Sequence, residues 1–555
     1  MTDRPSAASV AIIPQPLSVS ALASGPVAPD GAAGATLCDG LVVAHAPELG
    51  KEARWFRRLL EAGTGWQVHL TEATAPGSGV IELRLGDLAG RLDGLTPAAT
   101  AGEGYVLAAS AGRVVIIGAS AAGAFYGLQT LRQLLPDGTL RQAGQSGPIE
   151  LPAVQVVDAP RFAWRGVHLD VSRHFLPKSF VLKLIDLIAL HKCNVLHLHL
   201  TDDQGWRLPV RRYPRLTQVG AWRSESGDDE IEGSFDGTPH GGFYTRADLA
   251  EIVRFAAERH VNVLPEIDMP GHMTAAIAAY PELGNTGQQL AVATSWGISE
   301  HVLNLEERTL RFCTDVIDEA IGIFPWRYVH LGGDECPVTE WQSSARARQL
   351  MAENGYTDAR ELQGWFTARM AEHLQGRGRI LVGWSEIVEG GAPAGSVVMA
   401  WRSEQDAVAA AAAGLDVVMT PEEWLYLDRP YSQDPAEPAG YPGAKSTEKV
   451  YGFDPVPAAI PAGQRDQVLG AQCELWTEFV ATPERAEYMY FPRLSAFAEV
   501  VWTIETPAQP RSYREFEARL ARHLGRLQAL DVGYRPLDGP TPGQARIWLP
   551  GRPAG

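Results

Sequence analysis

The run Tyr328-Val329-His330-Leu331-Gly332-Gly333-Asp334-Glu335 reads as an apolar strand that stops on two glycines and then presents two adjacent carboxylates. Like charges held that close repel, so one of the pair tends to keep its proton near neutral pH, and a protonated acid beside an ionised one is what general acid catalysis needs. Taken alone, Gly-Gly-Asp-Glu would also suit a solvated turn. Chemistry is favoured because other strand-like runs end in the same manner. One leads into Asp170-Val171-Ser172-Arg173-His174-Phe175, a second ends at His199-Leu200-Thr201-Asp202-Asp203-Gln204-Gly205-Trp206, and a third at Glu266-Ile267-Asp268-Met269-Pro270-Gly271-His272. Later runs deliver Trp384, Trp401, Trp424-Leu425-Tyr426-Leu427-Asp428 and Trp476-Thr477-Glu478. Arginine and carboxylates form bidentate hydrogen bonds with hydroxyls, while indoles offer flat apolar faces. Acids and indoles together make a sugar site; a phosphate substrate would want several Lys or Arg.

For these ends to meet, the elements carrying them must converge. From about residue 160 to near 500 the pattern alternates strand and helix, with eight strand candidates: 164–170, 194–202, 261–268, 328–335, 380–386, 396–402, 415–421 and 468–478. That is the number a (β/α)8 TIM barrel requires, and in a barrel the C-terminal strand ends share one face, where active sites of this fold lie. Val181, Leu184, Ile185 and Ile188 form one helical stripe, and Thr245 with Asp248 resembles a capping box ahead of Leu249, Ile252, Val253 and Ala256. An open doubly wound sheet is the runner-up, disfavoured because no Gly-rich phosphate loop follows the first strand. Before residue 155 the style differs. A strand at 80–85, a hairpin-like pair at 105–110 and 113–118 reversing at Ala111-Gly112, and a helix from Ser120 to Pro136 carrying Phe125, Leu128, Leu131 and Leu135 predict a smaller α+β sheet domain. Residues 137–150, rich in Gly and Gln, read as the connection.

Composition narrows the function. With 555 residues, 45% of them hydrophobic, the chain can bury large cores. A net charge of −18 argues against nucleic acid or an anionic membrane surface as partner. Cys38, Cys193, Cys313, Cys336 and Cys473 lie far apart with no Cys-x-x-Cys pair, which disfavours a zinc site and a dense disulfide scaffold. Met1–Pro5 lacks a basic start followed by an apolar run, so a cytoplasmic location is expected, although a chain whose leader had been removed would read the same.

The Asp-x-Ser-Arg-His-Phe, Thr-Asp-Asp, Asp-Met-Pro-Gly-His, His-x-Gly-Gly-Asp-Glu, Trp-x-Tyr-x-Asp and Trp-x-Glu blocks, in this order, resemble glycoside hydrolase family 20, the β-N-acetylhexosaminidases. The resemblance covers about residues 155–535, and the preceding α+β domain is similar to the one that precedes the barrel in that family. It implies domains at 1–155 and 156–535, with 536–555 as a Pro/Gly-rich tail. An ordinary retaining glycosidase sets two carboxyls roughly 5 Å apart across the sugar ring. Asp334 and Glu335, neighbours on the chain, are poorly placed to attack from opposite faces. The family's answer is substrate assistance, in which the substrate's own 2-acetamido oxygen attacks the anomeric carbon.

The resemblance then implies roles. Glu335 would be the acid/base, Asp334 would hold the acetamido N–H and stabilise the charge developing there, and Tyr426 would donate to the acetamido oxygen. Trp384, Trp401 and Trp476 would wall the acetamido methyl. Arg173 and Glu478 would bind the 3-, 4- and 6-hydroxyls, with Asp202 near the 3-hydroxyl, Asp428 near the 6-hydroxyl, and His272 with Asp202 supporting the acid. A carboxylate at Asp428 would tolerate a neutral 6-hydroxyl and repel a 6-sulfate or 6-phosphate. Duller readings stand beside these: Trp384 and Trp401 as barrel-core aromatics, Arg173 as an ion-pair partner of Asp170 or Asp202, His330 as a structural histidine. His168, His197 and His199 sit on strands and with nearby aspartates could suggest a metal-hydrolase barrel, but close ligand spacing is absent, so no metal or cofactor is expected.

The expected activity is exo-acting, retaining release of terminal β-linked GlcNAc or GalNAc from an oligosaccharide or glycoconjugate, by a monomer or homodimer. The alternatives are a catalytically silent sugar-binding barrel and a disaccharide-releasing relative such as a lacto-N-biosidase, for which the long 203–243 stretch could shape the rim.

Overall fold

The computed structural model describes residues 10–22, 34–72, 80–92, 100–110, 112–227, 234–506, 510–541 and 544. Met1–Pro5, the reversal residue Ala111 and most of the expected tail lie outside the described residues.

Eight parallel strands close into a barrel in chain order: β1 (Trp164–Asp170), β2 (Val195–His199), β3 (Asn262–Glu266), β4 (Tyr328–His330), β5 (Ile380–Trp384), β6 (Val397–Ala400), β7 (Asp416–Met419) and β8 (Val468–Cys473), with β8 pairing back onto β1. Every residue of β1 and β2 is buried, as expected for strands covered on both faces. Closure removes the open-sheet alternative. Most expected strands overran at their C-terminal ends; β4 stops at His330 rather than Glu335. The residues beyond it leave the ladder through Gly332 (φ +63°) and Gly333 (φ +95°), a left-handed path that glycine follows without strain.

The helices that brace the barrel follow their sequence signals. Lys178–Leu190 buries Val181, Leu184, Ile185 and Ile188. Arg246–Ala257 opens on a complete capping box: the Asp248 N–H donates to Thr245 Oγ1 at 3.1 Å and the Thr245 N–H to Asp248 Oδ2 at 3.0 Å, a device worth about 1 kcal/mol.

The preceding domain is a seven-stranded mixed sheet backed by helix Ala121–Leu134, whose Ser120 cap accepts from the Gly123 N–H. The hairpin 105–110/113–118 pairs as expected. Two features differ from the sequence reading. The divide near 155 falls inside a strand, Val154–Asp158, which pairs with both Ser18–Ala21 and Tyr105–Ser110, and the supposed connection contains a further strand, Ile149–Glu150. Their alternating patterns are too short to stand out behind a Gly/Gln-rich run. Helix Gly50–Thr64, which buries Trp55, Phe56 and Leu60, was also unforeseen. The sheet is tied to the barrel by Asp158, which accepts from Lys192 Nζ at 2.8 Å and from Trp502 Nε1 at 3.0 Å. All five cysteines are free thiols, and among the described residues no helix is long and apolar enough to cross a membrane.

Candidate active site

A cavity of about 330 Å³ opens among the C-terminal ends of the barrel strands. Of the residues singled out from sequence, Arg173, Asp334, Glu335, Trp384 and Trp401 line it, together with Tyr426, Asp428, Trp476 and Glu478. Asp202 and His272 do not; they are 1% and 4% exposed. The barrel brings together side chains more than 300 residues apart in sequence.

The turn after β4 is shaped by Asp268. A Cβ on Gly332 would lie 1.7 Å from Asp268 Oδ1, so only glycine fits. Asp268 Oδ1 accepts the Gly333 N–H at 3.1 Å, and the Gln363 amide donates to the Gly333 carbonyl. Glu335 itself has φ +44°, a conformation that costs a non-glycine residue of order 1 kcal/mol and concentrates at functional sites. The turn sends Asp334 inward, its side chain 13% exposed, and leaves Glu335 at 36%. Burial raises the Asp334 carboxyl above the ordinary aspartate range, with His272 opposing and the Glu266 and Glu335 charges adding to the rise. Burial and the Asp334 charge together push Asp268 well up. Asp334 and Asp268 are thus two raised carboxyls that folding brings together.

His272, also left-handed at φ +52°, stands between Asp202 and the two acids. Its Nδ1 is 3.1 Å from Asp202 Oδ1, and its Nε2 is 3.6 Å from Glu335 Oε2 and 3.7 Å from Asp334 Oδ2. Burial works against its protonation, but Asp202, with Asp203 and Glu335 adding, outweighs burial and holds the imidazolium well above the usual histidine value. Asp202 is crowded with donors: His199 Nε2 at 2.8 Å and Arg173 Nη2 at 2.9 Å meet its Oδ2. Despite burial, Arg173 and His272 keep it well below the ordinary range. Asp202 therefore does not stand in the lining, where a sugar hydroxyl would meet it, but behind the cavity against Arg173 and His272.

The apolar wall is built of hydrogen-bonded indoles. Trp384 is 1% exposed and donates Nε1–H to Glu266 Oε1 at 2.8 Å, while Trp401 donates to Glu386 Oε2 at 3.0 Å. Trp401 stacks on Tyr426 with centroids 6.1 Å apart and planes 21° apart; Trp476 sits 5.9 Å from Trp384 and 6.2 Å from Tyr426. Opposite, the Arg173 guanidinium lies 4.9 Å over Trp476 and its Nε–H donates to Gln204 Oε1 at 3.1 Å. Burial lifts Glu478 to about 7, moderated by Arg173. Burial also raises Asp428, moderated by Arg429 and Lys445.

Arg429, Glu422, Tyr441, Gly297 and Ile298 complete the lining and were missed from sequence. Arg429 adjoins Asp428, Glu422 opens a helix of one turn, Glu422–Leu425, too short to show a period, and Gly297, Ile298 and Tyr441 sit in irregular segments. These segments form the rim, whereas 203–243 contributes no lining residue among those described. It stands behind Arg173 instead, where Arg223 donates to the Arg173 carbonyl at 2.6 Å.

The strand histidines do converge, contrary to their sequence spacing. His168, His197, His199, His330, Glu266 and Glu474 supply groups whose ligand atoms lie within 4.8 Å of one another, all buried in the barrel interior. Each oxygen of Glu266 accepts from a protein donor, His199 Nδ1 at 2.6 Å on Oε2 and Trp384 on Oε1, while His168 and the Nε2 atoms of His197 and His330 have no hydrogen-bond partner among the described residues. The cluster thus forms a polar core that contacts the cavity wall through Trp384, whose ring is 4.7 Å from His330.

Comparison with known proteins agrees with this geometry. The profile "Glycosyl hydrolase family 20, catalytic domain" matches residues 162–505, and "Glycosyl hydrolase family 20, domain 2" matches 9–159. A β-hexosaminidase of Porphyromonas gingivalis is 42% identical over 435 residues, 78% of this chain but 54% of its own, so the chain spans about half the length of that relative. A β-N-acetylhexosaminidase of Cellulomonas fimi is 36% identical over 97% of this chain and 98% of its own. Among solved structures, a mutant Streptomyces plicatus β-hexosaminidase in complex with the product GlcNAc superposes with a TM-score of 0.79 at 31% identity, covering 97% of this chain and 98% of that one. Matched across both domains, and over most of its catalytic barrel by the family profile, the chain belongs to glycosyl hydrolase family 20.

Proposed function

We propose that the chain is an exo-acting, retaining β-N-acetylhexosaminidase that releases terminal β-linked GlcNAc or GalNAc by substrate-assisted catalysis. One observation carries the reading: a carboxyl pair on consecutive residues, Asp334 and Glu335, opens into a small cavity whose lining includes Trp384, Trp401, Trp476 and Tyr426. A box of indoles ending in one phenol and one buried carboxyl matches an acetamido group, whose methyl is apolar, whose oxygen accepts and whose N–H donates. The GlcNAc product complex of the S. plicatus relative supports the sugar class.

Each side chain then has a task. Glu335 gives its proton to the glycosidic oxygen as the C1–O bond breaks. Tyr426 donates to the acetamido oxygen, which supplies the electron pair that bonds to C1 from the opposite face. Asp334 takes the acetamido N–H and balances the positive charge of the resulting oxazolinium ring. The Glu335 carboxylate next removes a proton from water, which adds at C1, reopens the ring and leaves configuration retained. The indoles exclude bulk water and hold the acetamido group in the attacking pose. At about 330 Å³ the cavity is at the small end of ligand sites and suits one sugar, which favours single-residue release over disaccharide release. The silent-barrel reading is disfavoured because acid, phenol and buried carboxyl all face the cavity.

Product analysis on a reduced chitin tetrasaccharide tests this. Early release of GlcNAc as its β-anomer, seen by proton NMR before mutarotation, fits the reading. A disaccharide as first product, or an α-anomer, contradicts it.

A further inference from the structure

We propose that Glu266, on strand β3 and outside the cavity lining, is a positioning residue that orients the acetamido wall and the acid's support from a single carboxylate. The inference rests on the function proposed above. Glu266 is completely buried. An apolar residue could fill the space without desolvating a charge, so a carboxylate there answers to the donors around it. Oε1 accepts from Trp384 Nε1–H at 2.8 Å, and Oε2 accepts from His199 Nδ1–H at 2.6 Å.

The His199 ring carries the connection onward. Its other nitrogen, Nε2, is 2.8 Å from Asp202 Oδ2. A ring with a carboxylate on each nitrogen satisfies both only as an imidazolium donating from both sides. Asp202 passes the link to His272 at 3.1 Å, and His272 Nε2 faces Glu335 at 3.6 Å. A continuous polar chain therefore runs Trp384–Glu266–His199–Asp202–His272–Glu335, joining the wall against which the substrate's nucleophile is held to the group that protonates its leaving oxygen. With a neutral amide at 266, His199 loses the partner that keeps its second proton. Asp202 then loses a donor, and Trp384 loses a charged acceptor.

The test is a set of double-mutant cycles on the full chain, with Glu266→Gln, Trp384→Phe, His199→Gln and their pairs. kcat, KM, the inhibition constant of a GlcNAc thiazoline (a stable mimic of the cyclic intermediate) and Tm are measured. E266Q should lower kcat by about 10- to 100-fold, with KM changed far less and thiazoline affinity reduced in parallel. In both E266Q pairs the loss should fall short of the product of the single losses by at least about threefold. E266Q activity within about twofold of the parent, or multiplicative losses in both pairs, overturns the proposal. A purely structural role would lower Tm and leave the losses multiplicative. If E266Q does not fold, the W384F/H199Q pair decides: sub-multiplicative loss supports the hub and multiplicative loss overturns it. The parent chain is run in parallel on aryl β-GlcNAc and plain aryl β-glucoside. Equal cleavage there means that the functional reading has failed; discrimination with an unaffected E266Q means that only this inference has.

Discussion

His272 and Glu335 face each other across 3.6 Å, and both hold left-handed backbone, φ +52° and +44°. Two non-glycine residues in that conformation, from the ends of neighbouring barrel strands, mark a pair aimed at one another by their turns. His272 is held protonated by Asp202 in spite of its burial, so it presents an N–H toward the acid. That geometry makes the pair's contribution measurable.

Glu335→Gln should separate leaving groups. A neutral amide cannot protonate the departing oxygen, so turnover of a glycan or alkyl β-GlcNAc should fall by about 10²- to 10⁴-fold. A dinitrophenyl glycoside, whose leaving group needs no proton, should lose much less in its first step. Steady-state kinetics across a leaving-group series reads this directly, and equal losses throughout would remove Glu335 from the acid role.

His272→Gln should change how stability depends on pH. The folded-state pKa of His272 lies above its unfolded value, so its contribution is fully present below about pH 6.5 and is lost as pH rises through the raised folded value. The Tm gap between parent and H272Q should therefore be widest in mildly acid buffer and narrow toward alkaline pH. A gap that is flat with pH would show that the histidine is not charged in the native state.

Asp268→Asn should stabilise the protein while damaging activity. Burial and Asp334 raise the Asp268 carboxyl well above 3.8, so the unfolded chain releases a proton that the native state retains. The Asp268 contribution to parent stability then falls as pH rises above about 4, by about 1.4 kcal/mol for each pH step until the raised folded value is reached. An asparagine keeps an oxygen for the Gly333 N–H and carries no charge. Thermal melts should show D268N above the parent by a margin that grows between acid and neutral pH, with reduced kcat. A D268N Tm below the parent at neutral pH would contradict this.

Exhaustive chelation should leave activity intact. Glu266 and both nitrogens of His199 are engaged within the protein, while His168 and the Nε2 atoms of His197 and His330 have no hydrogen-bond partner among the described residues, so chelation tests this buried cluster directly. Loss of activity with chelator, restored by a divalent cation, would reopen a metal role.

The barrel was legible in the sequence because β1 to β8 are short apolar runs punctuated by helices with clear stripes and caps, as at Thr245 and Asp248. Nine cavity-lining residues were legible because they lie at or just beyond strand ends. Asp202 was misplaced since sequence does not separate a residue that touches a ligand from one that holds Arg173 and His272 in place. Asp268 and Glu266 carry no signal of their own in the sequence, because their contacts to Gly333, His199 and Trp384 arise only once the barrel strands have assembled. The rim residues Ile298, Glu422 and Tyr441 belong to segments whose positions come from tertiary packing alone.

The most direct test compares hydrolysis of an aryl 2-acetamido-2-deoxy-β-glucoside with that of the matching plain β-glucoside, at equal concentration and mildly acidic pH. The indole and phenol box around the acetamido group predicts cleavage of the first and none of the second. Equal cleavage of both would mean that a protein carboxylate, not the substrate's own amide, attacks the anomeric carbon, and would contradict the role given to Asp334.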